Sequence, residues 1–479
     1  MNHLIPKSLR LGTLGWTIAV YTLILFVCSS LKHALFQSNA LDLGWFDQAV
    51  YLISQGQVPI VSFGGFHVLG DHAAWMLYPL ALLYKIYPAV HWLLAVQAIA
   101  LSLAAIPLWH LARQAGLKPT VATAITTAYL LYPLVFNINS FDFHPEVLAV
   151  PALFSAVLAA RSGKIGWFCA AIGVVLGCKA VLSLTIVGLG IWLWLFETRS
   201  AEAPIRSRTR IMGAIALVTG ISWFLLATQV IIPYFRADKG SQVSAIAHYQ
   251  YLGSSVTEIA KNLVLQPGLV LSHLFTLANL EYLALLFIPV LWGLSFRYLT
   301  PLIAALPALA LNLLSTMFAA KNLTTQYSLP ILPFLFIAIV AALAHQQGWV
   351  QQRRGIILCA LVGFLALAKY SYFGTLYLRG LDTWQATRTA LSQIPAQGRV
   401  LTVSQIAPHL THRPIVKLAV TGSQSRDLAE FDYVLLNARH PGWASDRATI
   451  TQIVDRLTQD STFQATYQQD EVYLFTRKA

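Results

Sequence analysis

Long apolar runs, separated by short polar segments, follow one another from Leu11 almost to Arg379. A helix needs ~20 mostly apolar residues to cross a bilayer, because lipid offers no partner to a free backbone amide or carbonyl. The pattern therefore predicts a polytopic membrane bundle. Spans are expected at about 11–36, 90–112, 120–136, 147–160, two within 165–196, 211–232, 282–296, 299–318, 329–345 and 355–373, roughly eleven in all.

The segment 39–87 breaks the rhythm. It carries Asp42, Asp47, Asp71, Gly64 and Gly65, and its apolar stretches at 45–53 and 73–84 are too short to span. Two interfacial helices on the outer surface are the expectation. Arginines and lysines orient the rest, because basic residues stay on the cytoplasmic side. Lys7 and Arg10 precede the first run; Arg113 with Lys118, Arg161 with Lys164, the group Arg199, Arg206, Arg208 and Arg210, then Arg297, Arg353 and Arg354 mark later inner turns. The first run lacks a small-residue cleavage motif and reads as a retained helix. A full span at 73–84 would turn Asp142 inward and Arg113 and Lys118 outward, against this pattern. The segment 233–272, with Arg236, Asp238, Lys239, His248 and Lys261, is too polar to span and is placed outside.

Beyond about Gly380 the pattern changes to that of a soluble α/β domain of about a hundred residues. Strands are expected at 399–403, 415–420, 431–436 and 472–476, with a helix at 447–458. The chain thus divides into a transmembrane domain, 1–379, and an extracytoplasmic domain, 380–479. An odd number of spans sets the N-terminus in the cytoplasm and the C-terminus outside, in a cell (inner) membrane.

Composition agrees. Of 479 residues 57% are apolar and 11% charged, a mix that would not fold in water. The net charge of +13 punctuates the apolar runs instead of forming one stripe, which excludes a nucleic-acid partner. Cys28, Cys169, Cys178 and Cys359 lie within apolar runs, without the spacing of a zinc site.

The first two outer segments gather Asp42, Asp47, Asp71, Asp142 and Glu146 with His67, His72 and His144. Charge at a membrane boundary is costly unless solvated, paired or used, so the cluster is a candidate site, although outer loops are also simply wet. Asp47, in L-G-W-F-D-Q-A-V-Y, is an acid on a short outer helix with no basic neighbour in sequence, suited to taking a proton from an acceptor hydroxyl. In F-D-F-H-P-E, Asp142, His144 and Glu146 combine oxygen and imidazole donors suited to magnesium, manganese or zinc; a helix cap at Asp142 is the alternative. Lys179, in G-C-K-A between two apolar runs, either snorkels to the interface or holds a lipid-linked phosphate. Arg236, Asp71 and His72 complete the substrate-side candidates.

At these residues the chain resembles the GT-C superfamily of multi-span glycosyltransferases, which take sugar from a polyprenyl-phosphate donor. More narrowly it resembles a prokaryotic membrane family of unknown function, domain family 2079, through F-D-Q-A at Phe46, L-G-D-H at Leu69, D-F-H-P-E at Asp142 and Q-Y-S-L-P from Gln326. The likeness covers most of the chain. In lipid A aminoarabinose transferases and protein mannosyltransferases an acid of the first outer loop is the proposed base, matched here by Asp47. A second acid, binding a metal or orienting the acceptor, is matched by Asp142, assisted by His144 and Glu146. The lysine after the fifth helix corresponds to Lys179, and a later one to Lys321. The chain departs from the pattern at Gln48, where many relatives have a second acid, and only Asp71 stands near the acid expected at the end of the first loop.

The resemblance implies inverting transfer of a sugar from a polyprenyl-phosphate donor to an envelope acceptor. A lipid or solute transporter or flippase is the rival, but a proton relay should run near midplane, where charges are nearly absent. A non-catalytic scaffold would leave the acid cluster idle.

Overall fold

The computed structural model describes residues 12–197, 203–236, 244–423 and 427–478. The expectations for Lys7, Arg10, Arg199, Asp238 and Lys239 lie outside the described residues. Apolar backbone bonds to itself as helix. Among the described residues, Thr13–Ala34, His91–Gln114, Pro119–Phe141, Ile205–Phe235, Gln326–Ala344 and Arg353–Leu378 are long and apolar enough to cross a membrane. A seventh crossing is possible where Pro267–Leu274 and Leu277–Gly293 meet at 58°.

Eleven spans are therefore not reproduced by length alone, and the reason is visible in the breaks. Ile165–Cys178 and Leu182–Leu195 are separated at Lys179, and Pro145 opens a 3-10 turn that leaves only Ala149–Arg161 as α-helix. Further along, Thr300–Leu314 is another short apolar helix.

Gln326–Ala344 is the central helix, with 83% of its apolar window buried, whereas Thr13–Ala34 has 17% and faces outward. Tyr129 and Tyr132 set their rings edge-on to Phe336 at 5.6 and 5.9 Å. The hydroxyl of Tyr132 donates to the Leu286 carbonyl at 2.6 Å, so the buried phenol is satisfied.

In the first outer segment Trp45–Ser54 and Leu77–Ile86 are helical. Leu77–Ile86 exposes Leu82 and Ile86. By contrast Trp45–Ser54 buries eight of its ten residues and lies beneath the C-terminal domain instead of on an open interface. A small hairpin, β1 (Ile60–Val61) and β2 (Phe66–His67), follows it.

Beyond Gly380, at φ 79° and so in the left-handed region glycine tolerates, Leu381–Ser392 begins the C-terminal domain. Its strands are β3 (Val400–Thr402), β4 (Val416–Leu418), β5 (Tyr433–Asn437), β6 (Phe463–Gln469) and β7 (Val472–Arg477), in the order β4-β3-β5-β7-β6. β3 is parallel to β4 and β5; β7 is antiparallel to β5 and β6. Arg447–Gln459 packs its apolar stripe, Ile450, Ile453 and Leu457, into the core. That core also takes in Phe36, just past the first helix, and Ala40.

Candidate active site

Three local breaks in helix position the charged side chains. Pro133–Phe141 ends at Asp142, and Pro145 holds His144 extended (φ −140°, ψ 136°), since a residue before proline avoids the helical region. In extended chain, alternate side chains share a face, so Asp142 and His144 leave the backbone on the side opposite Phe143, and all three are buried. Lys179 is likewise extended between its two helices. The backbone freed there is bonded by the first outer segment: Met76 N donates to Gly177 O at 2.9 Å and Ala180 N to His72 O at 2.8 Å.

The outcome is a row of buried ion pairs. Lys32 Nζ lies 3.1 Å from Asp142 Oδ1, His144 Nε2 lies 3.2 Å from Asp42 Oδ1, and Lys179 Nζ donates to Glu146 Oε1 at 2.9 Å. His72 pairs with Asp71 at 3.2 Å and lies in electrostatic reach of Lys179, Glu146 and His144. Tyr327 presents its ring 5.6 Å from Lys179 Nζ.

Burial pushes the Asp142 carboxyl up and Asp42 adds to it, against the pull of Lys32, leaving it at about 6. Burial also disfavours charge on Glu146, but Lys179 and His144 outweigh it and hold its carboxyl below the ordinary range. The Asp42 carboxylate similarly overcomes burial and raises the His144 imidazole.

Asp71, His72, Asp142, His144, Glu146 and Lys179 thus come together. The expected metal set does not converge: Asp142 is turned to Lys32, His144 to Asp42 and Glu146 to Lys179. Among the described residues no three His, Cys, Asp or Glu side chains are disposed to hold a metal ion. Arg236 stands nearby with its guanidinium 5.1 Å from the Phe66 ring. Lys321 is half-buried, which lowers its affinity for a proton, and forms no ion pair with the cluster among the described residues.

Asp47 stands apart. It is 1% exposed, and its carboxylate accepts hydrogen bonds from the hydroxyls of Tyr84 and Thr411. His412 Nε2 lies 3.2 Å from Oδ2, so the acid without a basic neighbour in sequence has one in space. Around it the domains are bolted together. Gln48 Nε2 donates to Arg413 O at 2.9 Å, and Ser62 exchanges bonds with the backbone of Val416 at 2.8 and 3.0 Å.

Asp142 opens instead on a cavity of about 620 Å³ between the two domains. Lys32, Phe141 and Asp142 form its floor, Phe373 and Leu376 an apolar wall, and Arg439 to Trp443 the facing polar wall. Arg379 stands at its edge, exposed and without an ion pair among the described residues. Asn39 ties floor to wall: its amide donates to Asp142 Oδ2 at 2.9 Å and its side-chain oxygen accepts from Trp443 Nε1 at 3.0 Å.

Sequence reasoning did not single out Lys32, Asn39, Thr411, His412 or Arg379. Lys32 is the only one with a signal: a lone cation near the outer end of the first apolar run, on the side where the positive-inside pattern does not call for one.

With this geometry in view, a family model described as "Predicted membrane protein (DUF2079)" matches residues 32–474. No curated protein matches significantly. Among solved structures, ArnT from Cupriavidus metallidurans bound to undecaprenyl phosphate is similar with a TM-score of 0.58 at 11% identity, over 98% of this chain and 99% of that one. The apo state of the same protein gives a TM-score of 0.45 at 12% identity over 95% and 98% of the chains. The archaeal oligosaccharyltransferase AglB from Archaeoglobus fulgidus, with an inhibitory peptide and a dolichol-phosphate, gives 0.40 at 10% identity over 88% and 70%. The first of these shows that the fold is GT-C-like.

Proposed function

The chain belongs to the DUF2079 family of membrane proteins, and from that premise we propose that it is a membrane glycosyltransferase, moving a sugar from a polyprenyl-phosphate donor to an envelope acceptor on the outer face. The observation that carries this reading is the cavity of about 620 Å³, within the size range of ligand pockets, which joins an apolar wall from a membrane helix to a buried acid. An amphiphile with a polar, anionic head fits such walls. The fold neighbour ArnT is bound to undecaprenyl phosphate, a lipid of that chemistry.

In this reading Asp142 is the base. The acceptor hydroxyl attacks the anomeric carbon from the face opposite the phosphate; its proton passes to Asp142 as the new C–O bond forms. The bond from the anomeric carbon to the phosphate oxygen breaks with its electron pair, and polyprenyl phosphate leaves, inverting the centre. Lys32 holds Asp142 in place, and Arg379 offsets the charge growing on the phosphate. Lys179, already neutralised by Glu146, supports the floor. Asp47 closes the joint between domains.

The test is transfer by purified protein from a panel of labelled polyprenyl-phosphate sugars to extracted envelope acceptors. Transfer is expected to fall by a factor of roughly 10² to 10⁴ in Asp142→Asn, the size of a general-base contribution. A base must be ionised, so activity should be lost as pH falls through about 6, well above where an ordinary carboxylate would protonate. Transfer unaffected by Asp142→Asn, or undiminished at pH 5, would remove Asp142 from the reaction.

A further inference from the structure

The C-terminal domain is more than a cover. β3 and β5 are parallel neighbours, and the order β4-β3-β5 carries the chain from β3 to one side and then back to the other. Loops leaving such a pair part in opposite directions, opening a crevice at the carboxyl ends of the strands, where α/β sheets hold ligands. Here Val403, Gln405 and Ile406 after β3, and Arg439 to Trp443 after β5, line the same cavity as Lys32 and Asp142.

Trp443 supplies a second, independent observation. The residue is 61% exposed, yet the edge of its indole is fixed by the bond from Nε1 to Asn39, whose backbone amide holds Asp142. An indole pinned by its edge keeps its face free. The turn beneath it needs Gly442, at φ 80°, where a Cβ would stand 3.0 Å from Gln405 Oε1. Beside it Arg439 and His440 are set by Asp382, at 3.0 and 2.8 Å.

We infer that this crevice binds the sugar of the lipid-linked donor, one ring face stacked on Trp443 and its hydroxyls met by Arg439 and His440, so that the C-terminal domain selects the sugar. The inference rests on the cavity's holding a polyprenyl-phosphate sugar. A sugar ring has a face rich in C–H bonds and a rim of hydroxyls, and a free indole face beside a guanidinium and an imidazole answers both. An acyl or prenyl chain alone uses none of the polar rim. Bare phosphate uses no aromatic face.

The full-length protein in nanodiscs is titrated with undecaprenyl phosphate and with undecaprenyl-phosphate hexose and pentose. The wild type should bind at least one sugar-bearing lipid more tightly than the bare one. Trp443→Ala should weaken that sugar-bearing lipid about tenfold, equivalent to ~1.4 kcal/mol, and leave the bare lipid unchanged. Trp443→Phe, which keeps a ring but lacks the bond to Asn39, should fall between. Equal loss for both lipids, or no loss, overturns the sugar crevice while leaving the donor-lipid reading in place. A wild type that binds neither lipid ends both.

Discussion

Asp47 and Asp142 are both buried acids, but their partners differ. Asp47 accepts from Tyr84 and Thr411 and touches His412, three groups that a substitution would leave facing one another. Asp47→Ala is therefore expected to cost about 1–3 kcal/mol, the penalty of stranding buried hydrogen-bond partners, and to loosen the C-terminal domain. Thermal unfolding and limited proteolysis around 393–415 check this; a rate loss with unchanged stability and protection would instead make Asp47 a base. The sequence pointed to both acids through their motifs. It could not separate their surroundings, because Thr411 and His412 lie in the C-terminal domain, and nothing along the chain ties them to Asp47. Lys179 was legible as a lone cation, and its neutralisation by Glu146 was not, since the pair is 33 residues apart.

At the scale of elements, the long apolar runs became helices close to where periodicity set them, and the short polar breaks between them were read less well. The strands β3, β4, β5 and β7 and the helix Arg447–Gln459 follow alternating or helical patterns and were expected. β6, Phe463–Gln469, was missed because it is an edge strand facing solvent on most positions, so no apolar alternation marks it. Leu381–Ser392 is similarly polar in pattern. Close element contacts are set by small residues: a Cβ at Gly70 would stand 2.7 Å from the Phe235 carbonyl oxygen. Gly70→Ala should push 69–72 away from 232–235 and cost roughly 1–3 kcal/mol in thermal unfolding. Gly166→Ala, with nothing within 4 Å, is the control and should be neutral.

Across the whole molecule, the positive-inside pattern predicts that the C-terminal domain, and with it the cavity, lies on the outer side. In a background lacking the native cysteines, Gln459→Cys should react with an impermeant maleimide in intact cells, and Arg206→Cys only after permeabilisation. The reverse result would move the cavity to the cytoplasm and remove the envelope acceptor. The change of composition near Gly380 falls where Leu381–Ser392 and the five-stranded sheet begin, but the shared core of Phe36 and Ala40 with β3, β5 and β7 could not be read, because it joins opposite ends of the chain. That shared core has a consequence for biosynthesis. Thr411, which closes over Asp47, is 364 residues further along the chain, so the segment that carries Asp47 is made early and must wait, unclosed, until the last strands have been translated. A chain that stops before Thr411 lacks both the wall from Arg439 to Trp443 and the hydroxyl that covers Asp47. Completion of the polypeptide and assembly of the cavity are one event.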